Sequence, residues 1–102
     1  MVESQPMTEA MYYILLALRS PVHGYGMMQR IRDLSGRRVQ MGPGTLYGVL
    51  TRMKKEGWII LDSQDERRKT YVITQEGLTA LQAEYQRLKH MVQDGEELEV
   101  DE

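Results

Sequence analysis

The segment from Gly42 to Gly77 most constrains the fold, because a turn, an amphipathic helix and a basic hairpin follow one another there without a gap. Four apolar residues recur at helical spacing and form one stripe that faces a core. They are Leu46, Val49, Leu50 and Met53. Pro43 suits the first turn of this helix and Gly57 suits its C-terminal cap, so the helix is predicted from about Gly44 to Glu56.

A hairpin is predicted directly after this helix. Two runs rich in β-branched and aromatic residues, Trp58–Leu61 and Thr70–Ile73, flank the polar stretch 62–69. The tip of the hairpin carries three basic side chains, and the exposed face of the helix carries three more. These residues are Arg67, Arg68, Lys69, Arg52, Lys54 and Lys55. Both basic surfaces could contact one DNA duplex.

Neither feature is specific alone, because charged outer faces are typical of surface helices and basic hairpin tips are common. The order of helix, glycine stop, hairpin and basic tip is that of a winged helix-turn-helix, in which a recognition helix enters the major groove and the wing contacts flanking phosphates. The predicted fold class is mainly α with a small antiparallel hairpin, a winged helix-turn-helix plus one C-terminal helix. The alternative function is a winged helix protein-interaction module, whose basic face meets an acidic partner.

Two further helices are predicted before the recognition helix. Thr8 is a candidate N-cap for a helix that ends near Arg19, and a second helix is predicted from about Tyr25 to Ser35. Residues 37–41 are predicted to form a short strand beside the wing. The winged helix domain is therefore expected to occupy residues 1–74.

A last helix is predicted over residues 75–93, with Thr74 as its N-cap. Its apolar residues are spaced three, four, three and four apart, which is typical of a coiled-coil seam. They are Leu78, Leu81, Tyr85, Leu88 and Val92. The seam packs either on the chain's own first helix or on a second subunit. We favour a homodimer, because two recognition helices related by a two-fold axis read an inverted repeat in double-stranded DNA.

The net charge of −2 hides an uneven distribution. Residues 19–69 hold eleven basic and five acidic side chains, whereas residues 94–102 hold six acidic side chains and no basic one. Since salt screens exposed charges beyond about 10 Å, a local basic face can bind phosphate while a distant tail stays acidic. The tail, residues 94–102, is predicted to be disordered and to aid solubility.

Other classes of protein are disfavoured by what the sequence lacks. There is no cysteine, so a disulfide, a thiolate nucleophile and a zinc–cysteine site are excluded. His23 and His90 lie far apart, without the spacing of a metal site or a catalytic triad. We therefore predict no enzyme activity, no metal and no cofactor. The apolar runs are too short to cross a bilayer and the N-terminus does not resemble a signal peptide, so a cytoplasmic protein with no membrane contact is expected.

Four groups of residues resemble the PadR-type transcriptional regulators over about Met11 to Leu88. They are His23-Gly24-Tyr25, Pro43-Gly44-Thr45-Leu46-Tyr47, Leu50 with Arg52-Met53 and Glu56-Gly57, and Arg67-Arg68 with Tyr71, Thr74 and Gly77. The single helix after Gly77 resembles the small subfamily with one C-terminal dimerisation helix. The resemblance implies a DNA-binding repressor, often released by a small molecule, of a nearby transporter, detoxification or stress gene.

The resemblance and the basic helix face together give the predicted DNA-binding residues. They are Gly44, Thr45, Tyr47, Arg52, Lys54, Lys55, Arg67, Arg68 and Lys69. Tyr47 corresponds to the family's groove-facing tyrosine and can offer its hydroxyl to a phosphate or its ring to a thymine methyl. Tyr25 either reaches a phosphate or lies in the core. Gly48 departs from the family's common proline and loosens the helix by up to ~1 kcal/mol relative to alanine.

An effector site is the least specific prediction. Small members of this family can hold a ligand in an apolar cavity between the first and last helices. The residues predicted to line it are Met7, Met11, Tyr12 and Tyr85. The last helix has no tryptophan, which argues against a planar compound stacked on tryptophan. Two alternatives stay open: a small aromatic or apolar effector, or methionines that only fill the core.

Overall fold

The computed structural model describes residues 6–65 and 67–99. In chain order, the elements within these residues are α1 (Glu9–Ala17), β1 (Val22–His23), α2 (Gly24–Leu34), α3 (Pro43–Lys55), β2 (Ile59–Asp65), β3 (Arg68–Ile73), α4 (Gln75–Asp94) and a 3-10 helix (Glu96–Glu99). The three strands form one antiparallel sheet in the order β1-β3-β2. This arrangement confirms the predicted winged helix-turn-helix with one C-terminal helix.

The core forms around α1, which contacts α2, α3 and α4. Ile14, Leu15 and Leu18 are fully buried there. The predicted stripe of α3 points into the same core, since Leu46, Leu50 and Met53 are buried and Val49 is half-buried. Burial of this stripe turns the polar face of α3 outwards. Gly57 ends the helix region with a φ of 79°, as its predicted cap role requires.

The prediction of a strand at residues 37–41 is wrong. These residues form a turn and an irregular segment, because Gly36 and Arg37 both adopt left-handed backbone angles, with φ of 60° and 69°. The third strand is instead β1, where Val22 and His23 pair with Tyr71 and Thr70 of β3. This pairing joins the start of α2 to the wing.

The acidic segment near the C-terminus also differs from its prediction. Residues 94–102 were expected to be disordered, but Asp94 ends α4 and Glu96–Glu99 forms a short 3-10 helix. Leu98 N–H donates to the Gly95 carbonyl at 2.9 Å, which closes this turn. The last three residues of the predicted tail lie outside the described part of the chain.

The wing is longer than the sequence predicted. Pairing continues past Leu61, with a shift in register before Ser63, and Asp65 pairs with Arg68 near the tip. We define the basic wing as β2, β3 and Arg67, which directly precedes β3. Arg68 and Lys69 are therefore strand residues, and ladder hydrogen bonds fix their backbone.

The start of α4 is held tightly against the base of the basic wing. Thr74 caps the helix by accepting from Gly77 N–H at 3.0 Å, and its hydroxyl donates to the Gly57 carbonyl at 2.7 Å. Thr74 N–H also donates to the Trp58 carbonyl at 2.9 Å. Gly77 is buried beneath the same carbonyl, and a Cβ on it would overlap the Trp58 oxygen and lie 2.8 Å from Ile73 Cγ1.

We expect Gly77→Ala to destabilise the protein by about 3 kcal/mol, because the added methyl group meets backbone atoms that cannot move aside. That loss corresponds to a fall in melting temperature of roughly 10–20 °C. Thermal unfolding followed by circular dichroism at one protein concentration measures it. Gly48→Ala is the matched control, since a Cβ there meets nothing within 4 Å, and it should raise stability by up to ~1 kcal/mol. Equal stability of Gly77→Ala and the wild type would contradict the close packing.

A buried carboxylate on α4 is paired with an arginine of the same helix. Glu84 is 6% exposed and accepts from Arg87 at 3.0 Å and 2.5 Å. The hydrogen bond from Arg87 lowers the pKa of Glu84, while burial opposes the shift. Glu84 is thus ionised in the folded protein and paired with Arg87 on the same helix.

We expect this carboxylate to make stability depend on acid pH. Because its pKa is lower folded than unfolded, its contribution is complete above about pH 5 and is lost as pH falls through the folded value. The wild type should therefore exceed Glu84→Gln by about 1–2 kcal/mol at pH 7 and match it in strong acid. Urea unfolding of both proteins from pH 7 to pH 3 measures the difference. A gap that stays constant across this range would show that ionisation of Glu84 does not matter.

Candidate nucleic-acid interface

The exposed face of α3 carries the polar residues predicted from the sequence. Gly44, Thr45, Tyr47, Arg52, Lys54 and Lys55 are all exposed. Tyr47 is 50% exposed. Thr51, one turn later in the helix, donates its hydroxyl to the Tyr47 carbonyl at 2.9 Å. Lys54 Nζ lies 5.9 Å from the centre of the Tyr71 ring, within the range of a cation–π contact. Lys54 thus links α3 to β3.

A cleft of about 290 Å³ lies between α3, the start of α2 and the basic wing. It is lined by His23, Gly24, Tyr25, Tyr47, Arg67, Arg68, Lys69 and Tyr71. Four of the nine predicted DNA-binding residues, Tyr47 and the three basic residues of the wing, therefore share one cleft. The other five lie on α3 outside its lining. Positive charge on one wall and phenol groups on the other suit a phosphodiester backbone.

The start of α2 forms part of the cleft, and of the residues that line it there only Tyr25 was predicted from the sequence, as one of two alternatives. His23 caps α2 by accepting from Gly26 N–H on Nδ1 at 3.2 Å, and it also pairs with Thr70 in the sheet. Neutral His23 therefore carries its proton on Nε2. Tyr25 is 65% exposed, so the alternative that placed it in the core is wrong. Both residues belong to the His23-Gly24-Tyr25 group, and its position at the start of a predicted helix was the sequence signal for this part of the cleft.

The turn that leads into α3 is held to α1 by Arg38. Its guanidinium donates to Glu9 at 2.8 Å and to the Tyr13 hydroxyl at 2.8 Å. Both hydrogen bonds raise the pKa of Arg38, and the one to Glu9 has the larger effect. The contacts orient the entry into the recognition helix, although Arg38 and Glu9 are too exposed to add much stability.

The predicted seam of α4 divides into two parts. Leu81 is 4% exposed and Leu78 is half-buried, so this part packs within its own chain. Tyr85 and Val92 are 52% and 71% exposed, and Leu88 is half-buried. We call these three residues the α4 face. It remains available to a second subunit.

The four predicted effector residues are distributed unevenly. Met11 is a core side chain, 6% exposed, whereas Met7 and Tyr12 are half-buried. Burial, and then the nearby Tyr85, raise the pKa of Tyr12. Tyr12 lies on α1 and Tyr85 on α4, two helices that contact each other, and three of the four residues, Met7, Tyr12 and Tyr85, keep exposed surface.

Among residues 6–65 and 67–99, no helix has both the length and the apolar character needed to cross a membrane. The same part of the chain holds no group of three or more histidine and acidic side chains placed to bind a metal ion.

An exposed helix beside a basic wing, both carried on a three-helix core, defines a winged helix-turn-helix protein. Residues 14–83 match the family described as "Transcriptional regulator PadR-like family". The chain belongs to this PadR-like family of transcriptional regulators.

The chain is similar to several known proteins. The chain is 32% identical over 77 residues to an uncharacterized 37.1 kDa protein from a transposon of Streptomyces fradiae, with 74% of this chain and 22% of that protein covered. It thus spans about a fifth of that relative's length. A PadR family transcriptional regulator from Eggerthella lenta superposes with a TM-score of 0.68 at 27% identity, over 89% of this chain and 82% of the other.

The structure is also similar to that of Bacillus subtilis PadR in complex with operator DNA. The TM-score is 0.65 at 25% identity, with 78% of this chain and 46% of the other covered. The coverage means that the two proteins share one portion of the larger chain.

Proposed function

We propose that this protein is a homodimeric transcriptional repressor that binds an inverted repeat in double-stranded DNA. The observation that carries the proposal is the cleft in which Tyr47 of α3 faces Arg67, Arg68 and Lys69 of the wing. A recognition helix and a wing that share one cleft can contact a groove and its flanking phosphates together. Similarity to a PadR that was solved with operator DNA supports this assignment.

Within this proposal, each DNA-binding residue has a defined task. Tyr47 contacts a base edge or a phosphate from the first half of α3, with Gly44 and Thr45 at the start of the helix. Arg52, Lys54 and Lys55 neutralise backbone phosphates from its last turns. The three basic residues of the wing contact the phosphates that flank the groove. The protein acts on DNA in the cytoplasm.

Dimerisation is supported by the α4 face. Tyr85, Leu88 and Val92 are spaced three and four residues apart, so they lie on one side of α4. They leave apolar surface in contact with water. Pairing of two such helices would bury this surface and fix the separation of two recognition helices. Half-sites are then expected about 34–36 Å apart, in successive major grooves.

A small aromatic or apolar effector is the third part of the proposal. Tyr12 on α1 and Tyr85 on α4 belong to helices that contact each other, and both keep exposed surface, as does Met7. A ligand bound there would touch the dimer interface and could alter the spacing of the two recognition helices. We infer that the regulated gene is a nearby transporter, detoxification or stress gene.

Fluorescence anisotropy on the duplex upstream of the protein's own gene, against a scrambled duplex, tests the central proposal. Tight binding to the first duplex alone is expected, with a log–log salt slope of about −5 to −9. Equal and weak binding to both would contradict sequence-specific recognition. Failure to bind either duplex at low salt would favour the protein-interaction module.

A further inference from the structure

The tyrosine of the recognition helix rests on a residue without a side chain. A Cβ on Gly24 would overlap the Tyr47 hydroxyl oxygen and lie 3.0 Å from Cζ and 3.5 Å from Cε1. Gly24 is buried, whereas Tyr47 is half exposed and lines the cleft. One end of the phenol ring is therefore held against α2 while the rest of the ring faces the wing.

We propose that Gly24 is a positioning residue for DNA recognition, because it sets the orientation in which Tyr47 projects into the cleft. This role rests on the proposed DNA-binding function. Within α3 itself, a Cβ on Gly44 would meet nothing within 4 Å, so the ring of Tyr47 does not pack on that glycine. The glycine contact that holds the end of the ring is thus supplied by α2.

An added methyl group at residue 24 would displace the tyrosine and leave the helix in place. The backbone at the start of α2 is fixed by the hydrogen bond between Gly26 N–H and His23, and His23 is paired to Thr70 of β3. The Tyr47 hydroxyl, in contrast, is the far end of a side chain with two rotatable bonds. The expected consequence is a protein of normal stability whose tyrosine points elsewhere.

Gly24→Ala combined with changes at Tyr47 tests this role by a double-mutant cycle on the preferred duplex. With Tyr47 present, Gly24→Ala should weaken DNA binding at least about tenfold, the loss expected for one hydrogen bond to a charged group. The loss should be smaller in the Tyr47→Phe background, where the overlapping hydroxyl is gone, and absent in the Tyr47→Ala background. Gly95→Ala is the control for a glycine replaced without steric overlap, because a Cβ there meets only ordinary contacts at 3.8 Å and the residue lies outside the cleft lining.

Two results would overturn the proposal. An equal loss of affinity in all three Tyr47 backgrounds would mean that Gly24 acts on DNA directly or through the helix start. A fall in melting temperature of more than a few degrees for Gly24→Ala would mean that the methyl group disturbs the fold.

A measurement without DNA separates this role from the proposed function. In the free wild type, nuclear Overhauser contacts are expected between the Tyr47 ring protons and the Gly24 α protons. In Gly24→Ala the ring resonances should shift, and contacts from the ring to residue 24 should disappear. Absence of the contact in the wild type would overturn the positioning role. If the contact is present but no duplex is bound, the DNA-binding function fails while the packing of Tyr47 on Gly24 stands.

Discussion

Replacing Tyr85 and Val92 together by glutamate is expected to convert the protein into a folded monomer and to weaken operator binding at least about 100-fold. Both side chains are more than half exposed in the single chain, so the replacements remove few contacts within it. In the proposed dimer they would place like charges next to their symmetry mates, which costs several kcal/mol. A monomer then loses the gain in affinity that comes from binding two half-sites at once.

Analytical ultracentrifugation and anisotropy on the preferred duplex measure the two effects. Ala83→Glu combined with His90→Glu is the matched control, because both residues are exposed, seven positions apart and on the side of α4 opposite to Val92 and Tyr85. The control protein should remain a dimer with unchanged affinity. A wild type that is monomeric at micromolar concentration, or a Tyr85→Glu/Val92→Glu protein that stays dimeric, would refute the assignment of the α4 face.

The second large effect is expected from the wing. Changing Arg67, Arg68 and Lys69 to glutamine removes three positive charges from each subunit, and thus six from a dimer. If each charge neutralises one phosphate, the log–log salt slope should become less steep by about 5. Affinity at low salt should fall at least about 100-fold, and the preference for the operator over scrambled DNA should persist, because the wing contacts backbone and not bases.

The same anisotropy titration, repeated from low to high salt, gives both the slope and the affinity. Lys89→Gln is the control, since Lys89 is an exposed residue of α4 that lies outside the cleft lining. Its slope should equal that of the wild type. A triple variant with an unchanged slope would show that the wing does not touch phosphates. Complete loss of sequence preference would instead assign the wing a role in base recognition.

The parts of the fold that could be predicted from the sequence are those with a local cause. The spacing from Leu46 to Met53, with Pro43 before it and Gly57 after it, defined α3 to within a residue at each end. Thr74 likewise marked the start of α4. In each case residues close together in the chain set the helix period and the caps. The buried side of the helix follows from the positions of its apolar residues.

The parts that could not be predicted depend on contacts between distant residues. Val22 and His23 form a strand only because Tyr71 and Thr70 lie beside them, and a two-residue strand leaves no period to read. The wing extends beyond Leu61 through ladder hydrogen bonds, which its polar residues do not reveal.

The candidate site follows the same division. Tyr47 and the wing arginines, which the structure places in one cleft, have residue types and an order that are distinctive in the sequence. The proposed role of Gly24 could not be predicted, since it comes from a tyrosine 23 positions later in the chain that packs on it.

The tight contact of Thr74 and Gly77 with the base of the wing has a mechanical consequence. Because α4 is fastened at its first turn to the carbonyls of Gly57 and Trp58, the helix and the wing move as one rigid arm. The α4 part of this arm is 20 residues long, or about 30 Å, so a tilt of about 4° at its base displaces its far end by about 2 Å. In the proposed dimer, a small shift where two such helices meet would therefore tilt both wings.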